Sequence, residues 1–487
     1  MTEPVGLLTY AVRRRVIGKY LGQLAGMHAI LALAPLLASI LFAEYQATIR
    51  YALVAVILAA TALLTRRLPV PASIQNNEAL CITALAFVLS PVIMIYPLTA
   101  SGLTVPDALF EAISAVTTTG LTTLPSVTDM PKTFLFARAW MQWYGGLGIV
   151  VLSVALLMQS GIVTRQLVDS VSGESALSTT RTYAQRMFKV YLGLTLCGFL
   201  LLWLVLPDAF LALTHTLSAI STGGFSPLDR SLAALDNWPA RFAVMLLGLL
   251  GAVPFVLYYR AVKGKWTAAV TDMELRSLLV AVLLTGLLLA WSLHVHLPQH
   301  WPESLAHGLL MGFSAQTTTG FASLDIAQLD TTSKLIMIIA MFCGGGVGST
   351  AGGIKLLRLL ILFRLIFLII QRTAMPSHAV TQTSIGGRLL DDDDIIRALV
   401  LILLFMAVIL LSWLLFLVHG YPSMDALFEV VSATGTVGLS TGITRTGLEP
   451  VLKLVLELDM LLGRLEIIAL LIVLYPRTWI GKRIESL

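Results

Sequence analysis

Apolar stretches of membrane-spanning length recur along the chain, with short polar segments between them. A bilayer crossing needs about 20 predominantly apolar residues, and ten stretches are predicted to supply one. They lie near 20–43, 51–65, 79–99, 133–158, 187–206, 239–261, 275–296, 333–370, 395–419 and 449–475. The chain is therefore predicted to be an all-α polytopic membrane protein.

Four further apolar stretches, each between two predicted spans, are too short to cross a bilayer. They lie near 106–116, 208–220, 302–315 and 423–433. Such segments are tolerated at membrane depth only where protein or a water-filled cavity surrounds them, so we expect four re-entrant helices. The predicted organisation is a two-helix region, 1–78, and four helix–short helix–helix units at 79–160, 161–265, 266–372 and 373–487.

One motif, S-A-x-x-T-x-G-[L/F], closes every short helix. Its copies read SAVTTTGL from Ser114, SAISTGGF from Ser218, SAQTTTGF from Ser314 and SATGTVGL from Ser432. Around the first and fourth copies, DALFEAISAVTTTGLTT and DALFEVVSATGTVGLST agree at 11 of 17 positions, which indicates internal repetition. With both termini inside, all four turns fall outside and the inner loops carry the positive charge. The units are then parallel repeats about an axis normal to the membrane.

Composition agrees with membrane insertion and narrows the function. The chain is 57% hydrophobic and only 12% charged, about half the charge of a soluble domain. Its net charge of +5 is accounted for by the loops, and no basic run interleaved with aromatic residues predicts a nucleic-acid partner. No enzymatic activity is predicted. Cys81, Cys197 and Cys343 have no metal-type spacing and are interpreted as small buried apolar residues.

The four turns are candidates for a ring of backbone carbonyls that strips water from a small cation and selects it. Carbonyl oxygens suffice to replace the hydration shell of K⁺, and glycine reaches the backbone conformations that turn them inward. The alternative is that these turns only end helices or pack closely; four aligned copies favour the ring. The candidate K⁺ ligands are Thr117, Thr118, Thr119, Gly120, Ser221, Thr222, Gly223, Gly224, Thr317, Thr318, Thr319, Gly320, Gly435, Thr436, Val437 and Gly438.

Four acidic residues flank the first and fourth turns. Asp107 and Asp425 stand where a helix N-terminus is capped or its dipole complemented. Glu111 and Glu429 lie one turn further into the short helices, and we expect them to brace the turns rather than to bind the ion.

A glycine-rich break, CGGGVGSTAGGIK from Cys343, interrupts the stretch 333–370. Such a break is tolerated at membrane depth where it lines a cavity, and a flexible constriction there predicts a gate. The alternatives are G-x-x-x-G helix packing and a nucleotide-binding P-loop, which lacks its strand and spacing here. The candidate gate residues are Gly344, Gly345, Gly346, Gly348, Ser349, Thr350, Gly352, Gly353, Lys355 and Arg464.

Lys355 and Arg464 are basic residues predicted at membrane depth, where charged side chains are functional candidates. Lys355 either snorkels to the inner surface or acts at the break. Arg464 either pairs with Glu466 or a nearby carbonyl, or bonds the glycine-rich loop. Weaker signals have ordinary interpretations: His294 and His296 as interfacial residues rather than metal ligands, and 391–394 as an acidic cap of the next helix.

These motifs together resemble the Trk/Ktr/HKT superfamily, and within it the TrkH-type potassium-uptake subunits. The resemblance rests on the four turns, the run MQWYGGLGIVVLSVALL from Met141, the glycine-rich break with Lys355, and GRLEIIALLIVLYPRTW from Gly463. It covers essentially the whole chain, including the two leading helices.

The resemblance implies K⁺ uptake across the cytoplasmic (inner) membrane by a homodimer in which each protomer has its own pore, bounded by membrane lipid. It further implies that the intramembrane loop at 344–353 is a gate contacted by Arg464. It also implies opening controlled by a cytosolic RCK-type (TrkA-like) subunit that binds NAD(H) or ATP/ADP. A serine at the first filter glycine favours sodium in HKT relatives, so Gly120 favours potassium.

One departure limits the selectivity that we expect. Leu439 and Ser440 follow Gly438, so the fourth turn lacks the second glycine of the potassium-channel filter T-V-G-Y-G. The expectation is thus a potassium-preferring pore. The alternatives are a less selective Na⁺/K⁺ transporter, a proton- or cation-coupled symporter using Glu111, Glu429 or Glu466, and a membrane sensor that transports nothing.

Overall fold

Helices make up nearly all the regular structure in this computed structural model, which describes residues 11–69, 74–159, 176–376, 384–386 and 388–481. Helices α1 (Arg14–Leu41) and α2 (Tyr45–Thr65) precede the units. Unit 1 contains α3 (Asn76–Leu98), α4 (Val105–Val116) and α5 (Lys132–Gln159); unit 2 contains α6 (Ala176–Val205), α7 (Ala209–Ile220), α8 (Trp238–Ala252), α9 (Phe255–Val262) and α10 (Trp266–Val270).

Units 3 and 4 follow the same order. Unit 3 contains α11 (Met273–His296), α12 (Trp301–Gln316), α13 (Thr331–Cys343) and α14 (Leu356–Thr373); unit 4 contains α15 (Asp392–Val418), α16 (Ser423–Thr434), α17 (Pro450–Arg464) and α18 (Ile468–Leu474). Between these units, β1 (Ser384–Ile385) and β2 (Arg388–Leu389) form an antiparallel hairpin. The predicted all-α polytopic class is confirmed, with this hairpin as a small addition.

Length and composition identify membrane-spanning helices within the described residues. Helices α1, α2, α3, α6, α11 and α15 each suffice to cross a bilayer, and the bent pair α8–α9 adds a seventh candidate. Large apolar side chains on these helices stay exposed, such as Leu41 at 82% and Leu204 at 86%. An apolar outer surface is the one that lipid tails cover.

Two predicted spans are broken, although the apolar pattern of each is continuous. The stretch 239–261 bends by 90° between α8 and α9, because Pro254 has no N–H to donate to Leu250 O, which instead accepts from the Tyr258 hydroxyl at 2.7 Å. The stretch 449–475 breaks after Arg464, where Glu466 and Ile467 take positive φ values of 52° and 62°. Both breaks adjoin the interrupted stretch 333–370.

The predicted unit boundaries remain predictions. The limit at 78/79 falls within α3, that at 372/373 falls one residue before the end of α14, and α10 begins just after the limit at 265/266. The limit at 160/161 and both chain ends lie outside the described residues. The expectation that all three cysteines are buried is only partly met. Cys81 is buried as expected, whereas Cys197 is exposed and Cys343 is half-buried.

Small residues bring α11 and α12 into backbone contact. Gly286 and Ala290 lie four residues apart on α11, and Gly308 and Gly312 do so on α12. A Cβ added to Gly308 would overlap the backbone of Ala290, and one added to Gly312 would lie 2.6 Å from Gly286 Cα. This small-xxx-small packing lets two membrane helices approach closely and fixes the short helix α12 against its span.

We expect Gly308→Ala to lower the thermal unfolding temperature of the detergent-solubilised protein, because overpacking costs about 1–3 kcal/mol. The matched control is Gly193→Ala, since Gly193 lies within α6 with no atom within 4 Å of an added Cβ. Alanine there gains helix propensity and should leave the unfolding temperature unchanged or higher. Equal unfolding temperatures for the two variants would contradict the close α11–α12 packing.

Candidate cation-binding ring and the loop beneath it

Each short helix ends in the same hydrogen-bonded turn. We call residues 117–120, 221–224, 317–320 and 435–438 turns 1 to 4. In turn 1, Thr119 N donates to Ser114 O at 2.9 Å and Thr118 N donates to Ala115 O at 3.0 Å. The same two bonds recur in turns 2, 3 and 4, which makes each turn a Schellman motif. The Ser-Ala pair of the sequence motif thus supplies the two accepting carbonyls.

Threonine occupies the left-handed position that glycine usually takes in this motif. Thr118, Thr222, Thr318 and Thr436 have φ values of 54°, 51°, 53° and 50°. A β-branched residue at positive φ is a genuine outlier, and such strain costs on the order of 1–3 kcal/mol and marks functional sites. Helix termination alone would be met more easily by glycine.

The four turns form a closed ring in chain order. Each motif glycine lies so close to the next turn that an added Cβ would overlap the carbonyl oxygen of the residue before that turn's glycine. The pairs are Gly120 on Gly223, Gly224 on Thr319, Gly320 on Val437 and Gly438 on Thr119. All four glycines have positive φ, between 77° and 95°. Their lack of a side chain is therefore required both by the conformation and by the contact.

Three of the four ring carbonyls accept no hydrogen bond from the part of the chain that the structure describes. Among the described residues, none donates a hydrogen bond to the carbonyls of Thr119, Thr319 or Val437, and all three residues are fully buried. The hydroxyl oxygens of Thr118 and Thr436 are also buried without a partner. Buried polar atoms are almost always paired, so this oxygen-lined centre is suited to a dehydrated cation or to ordered water. The short helices add the negative ends of their dipoles.

The residue nine positions before each motif glycine braces the segment after the turn. Glu111 accepts from Thr123 N at 3.0 Å, and Glu429 accepts from Thr441 N at 3.2 Å and Thr444 N at 3.3 Å. The equivalent residues of units 2 and 3 do the same with other chemistry: His215 bonds Ser226 Oγ at 3.2 Å, and Met311 Sδ accepts from Ser323 N at 3.2 Å.

Ion pairs tie the braces and the short helices to neighbouring units. Glu111 forms a fully buried pair with Arg138 at 2.9 Å, and Arg138 also stacks on Phe225, 3.7 Å from the ring centre. Asp107, at the start of α4, pairs with Lys453 of unit 4 at 2.8 Å. In the same way Asp425, at the start of α16, pairs with Lys334 of unit 3 at 2.8 Å. The two aspartates thus complement helix dipoles, as expected, and join adjacent units.

A second clamp joins the segments that follow turns 1 and 2. The carboxylate of Asp229 accepts from Val127 N at 2.5 Å and from Thr128 N at 3.0 Å. Burial by itself raises the pKa of Asp229, but these hydrogen bonds favour the charged form and bring the pKa below its ordinary value. The loops above the ring are therefore held by a carboxylate that stays ionised at neutral pH.

The glycine-rich loop, residues 344–355, lies directly against the opposite side of the ring. Gly352 N donates to the hydroxyl of Thr318 in turn 3 at 2.7 Å, and Gly353 N donates to Gly435 O of turn 4 at 3.0 Å. Thr350 Oγ1 donates to Ile220 O, at the end of α7, at 3.0 Å. The loop therefore bonds three of the four quarters of the ring.

Arg464, at the end of α17, and Lys355, at the end of the loop, both donate to carbonyls of the loop. Arg464 donates to Thr350 O of the loop at 2.8 Å and to Gly145 O of α5 at 3.3 Å. It does not pair with Glu466, which instead binds Arg358 at 2.5 Å. Lys355 is buried and donates to Ala351 O inside the loop, so it does not snorkel to the surface. From outside the loop, Glu274 accepts from Val347 N at 3.0 Å.

The weaker candidates stay outside this site. The described residues contain no group of three or more His, Cys, Asp or Glu that could hold a metal ion. His296 lies 3.6 Å from Asp330, and His294 packs edge-on against Trp301. Asp391 is the N-cap position of α15 without a side-chain capping bond, so its acidic run acts only through the helix dipole.

Sequence reasoning missed several residues that shape the ring. Arg138 and Gln142 lie in a helix that reads only as an apolar span, and their partners are 27 and 81 residues away in the chain. Aligning the units on their motif glycines would have added His215 and Met311 to Glu111 and Glu429 at one structural position. No comparable signal points to Arg138.

Comparisons with known proteins show which family the chain resembles. A family model described as TrkH, cation transport protein, matches residues 45–478. The chain is 31% identical to the Trk system potassium uptake protein TrkI of Halomonas elongata, over 93% of this chain and 94% of that protein. It is 29% identical to the Trk system potassium uptake protein TrkH of Escherichia coli K12, over 77% and 80%.

A solved structure is similar over nearly the whole length. The crystal structure of the potassium transporter TrkH from Vibrio parahaemolyticus superposes with a TM-score of 0.85 at 27% sequence identity, covering 96% of this chain and all of that one.

We expect Arg138→Met to lower the thermal unfolding temperature sharply, because leaving Glu111 as a buried unpaired charge costs about 3–5 kcal/mol. The double variant Arg138→Met with Glu111→Gln removes both charges and should recover most of that loss. The measurement is thermal unfolding followed by size-exclusion chromatography in detergent. A double variant less stable than Arg138→Met would refute the pairing.

Proposed function

The chain belongs to the TrkH family of cation transport proteins, and on that premise we propose that it takes up K⁺ through the ring formed by turns 1 to 4. The carrying observation is the set of buried carbonyls at Thr119, Thr319 and Val437, which have no donor among the described residues. Carbonyl oxygens of this kind replace the hydration shell of K⁺. The potassium-uptake names of the relatives support the same ion.

We expect the pore to prefer K⁺ without excluding Na⁺ completely. Each turn has one motif glycine at positive φ, and Leu439 follows the last of them. The ring then has fewer carbonyl layers than a T-V-G-Y-G filter, and selectivity depends on the number and field strength of those dipoles.

Coupling to protons finds less support than passive or gated conduction. A coupled carrier needs a titratable group on the pathway. Glu111 and Glu429 are committed to backbone and hydroxyl groups behind the turns, and Glu466 is paired with Arg358. Reversal potentials that follow the pH gradient would favour the coupled alternative.

We propose that the glycine-rich loop is the gate and that Arg464 holds it closed. The bonds from the loop to Thr318, Gly435 and Ile220 support this role, because they hold the loop against turns 3 and 4 and against the end of α7. Moving the loop costs hydrogen bonds but little packing, since its residues are mostly small. The carbonyls freed at the ring would be hydrated by water entering from that side.

The assembly that we propose is a homodimer in the cytoplasmic membrane with both termini in the cytoplasm. A cytosolic RCK-type subunit (TrkA-like) that binds NAD(H) or ATP/ADP would control the gate. The description of the relatives as parts of a Trk system supports a multi-component assembly.

Gly120→Ser and Gly438→Ser should each lower the K⁺/Na⁺ flux ratio about tenfold, equivalent to about 1.4 kcal/mol, because a side chain there displaces the adjoining carbonyl. The measurement is cation flux into vesicles containing the purified protein. Gly102→Ser is the matched control, since Gly102 also has positive φ, 86°, with nothing within 4 Å. Wild-type flux ratios in both ring variants would exclude the filter.

Arg464→Met, and deletion of residues 344–353, should each raise basal K⁺ flux into the same vesicles, because the loop loses its anchor or is absent. Lys265→Met, which removes an exposed cation, should leave the basal flux unchanged. A basal flux that neither change increases would contradict the proposed gate.

A further inference from the structure

Turn 2 departs from the other three turns in sequence and in hydrogen bonding. The residue before the motif glycine is Thr119, Thr319 or Val437 in turns 1, 3 and 4, but Gly223 in turn 2. The carbonyl of Gly223 is also the one ring carbonyl with a protein donor among the described residues. Its partner is the side chain of Gln142, from α5 of unit 1, whose Nε2 donates to it at 2.5 Å.

Gln142 is fully buried, and both polar atoms of its amide bond turn 2 or the residues that flank it. Its Oε1 accepts from Ser218 Oγ at 2.8 Å and from Phe225 N at 3.3 Å. In turns 1 and 4 the serine at the place of Ser218 is used differently: Ser114 and Ser432 accept from Gly120 N and Gly438 N, each at 3.1 Å. One side chain from the neighbouring unit thus replaces part of the internal bonding of turn 2.

Volume explains why residue 223 is glycine. A Cβ at Gly223 would lie 2.5 Å from Oε1 and 2.8 Å from Nε2 of Gln142. At the contact between α8 and turn 3 the large and small residues are exchanged. There a Cβ at Gly248 of α8 would lie 2.6 Å from Thr319 Oγ1 and 2.8 Å from Thr319 Cγ2. A large helix residue faces a small turn residue at turn 2, and a small helix residue faces a large one at turn 3.

We propose that Gln142 is a specificity-determining residue of the ring, acting as a positioning residue for the Gly223 carbonyl; this rests on the proposed function. A carbonyl has two lone pairs, so Gly223 O can bond the amide and still offer a lone pair beside Gly120, against which it lies. The N–H dipole fixes the oxygen in place and opposes its attraction for a cation. The ring consists of three free carbonyls and one tethered, weakened carbonyl, and selectivity depends on such field strengths.

The fixed position of the Gly223 oxygen affects which size of ion the ring binds best. Na⁺ is smaller than K⁺ and gains most when ring oxygens move inward to meet it. A carbonyl tethered by Gln142 resists that movement, whereas the three free carbonyls depend on backbone stiffness alone. The tether therefore disfavours Na⁺ more than K⁺.

The test uses full-length protein in vesicles, with K⁺, Rb⁺ and Na⁺ fluxes measured separately. Gln142→Met keeps the side-chain length and removes the hydrogen bonds, and should lower the K⁺/Na⁺ flux ratio about fivefold, equivalent to about 1 kcal/mol. Tyr144→Phe is the matched control on the same helix, since it removes only the bond to Ser90, and should leave the ratio unchanged.

A second pair of variants keeps the proposal testable if Gln142→Met folds poorly. Gly223→Thr alone should abolish flux, because its side chain overlaps Gln142. The double variant Gln142→Gly with Gly223→Thr reproduces the small-helix, large-turn pairing of Gly248 and Thr319. It should restore K⁺ flux because the overlap is gone, with a lowered K⁺/Na⁺ flux ratio because the tether is also gone.

The outcomes distinguish a failure of the proposed function from a failure of the role assigned to Gln142. Absence of K⁺ flux in the wild-type protein would overturn the proposed function itself. Normal wild-type flux with an unchanged K⁺/Na⁺ ratio in Gln142→Met would overturn the role of Gln142 alone. Failure of the double variant to exceed Gly223→Thr in flux would overturn it as well.

Discussion

The structure depends on one repeated contact: a glycine α-carbon against the carbonyl oxygen of the next unit's turn. This contact closes the ring at Gly120, Gly224, Gly320 and Gly438, and it permits no side chain at any of them. The rest of each unit holds that glycine in place. The Schellman bonds set the conformation of the turn, the residue nine positions earlier braces the segment after it, and the Asp–Lys pairs join units 3 to 4 and 4 to 1. A strained threonine at the left-handed position is tolerated because all these constraints act together.

The four units share one fold but differ in the residues that brace their turns. The bracing position carries Glu, His, Met and Glu in turn, and Glu111 has a buried cation partner whereas Glu429 relies on hydrogen bonds from the segment 440–444. A single chain can vary each quarter separately, which a symmetric homotetramer cannot do. The units also differ in their second spans: within the described residues, only the third is interrupted by a glycine-rich loop, and this loop bonds turns 3 and 4 and the end of α7.

The sequence predicted the architecture because that information is local and repeated. Apolar length gives the spans, and four copies of one motif give the turns and their common position. It also located the broken span at 333–370, since glycine density is visible without a structure. The bend at Pro254 was missed because proline is an ambiguous signal in this chain, since Pro35 and Pro91 lie within continuous helices. The break at Glu466–Ile467 was missed because neither residue type favours the positive φ found there. Gln142 and Arg138 were missed for another reason: their roles come from partners in other elements, and a polar residue within an apolar span does not reveal which neighbour it serves.

The unpaired ring carbonyls lie next to the glycine-rich loop, and the energies of ion binding and of loop position would therefore be connected under the proposed function. Buried oxygens without donors destabilise the folded protein unless a cation or water meets them, so a cation bound at the ring would stabilise the fold. The loop bonds other oxygens beside these carbonyls, since Gly352 N donates to the Thr318 hydroxyl and Gly353 N donates to Gly435 O. Under the proposed function, donors from the loop and the charge of a bound ion would act on neighbouring oxygens, so ion occupancy and loop position would be linked.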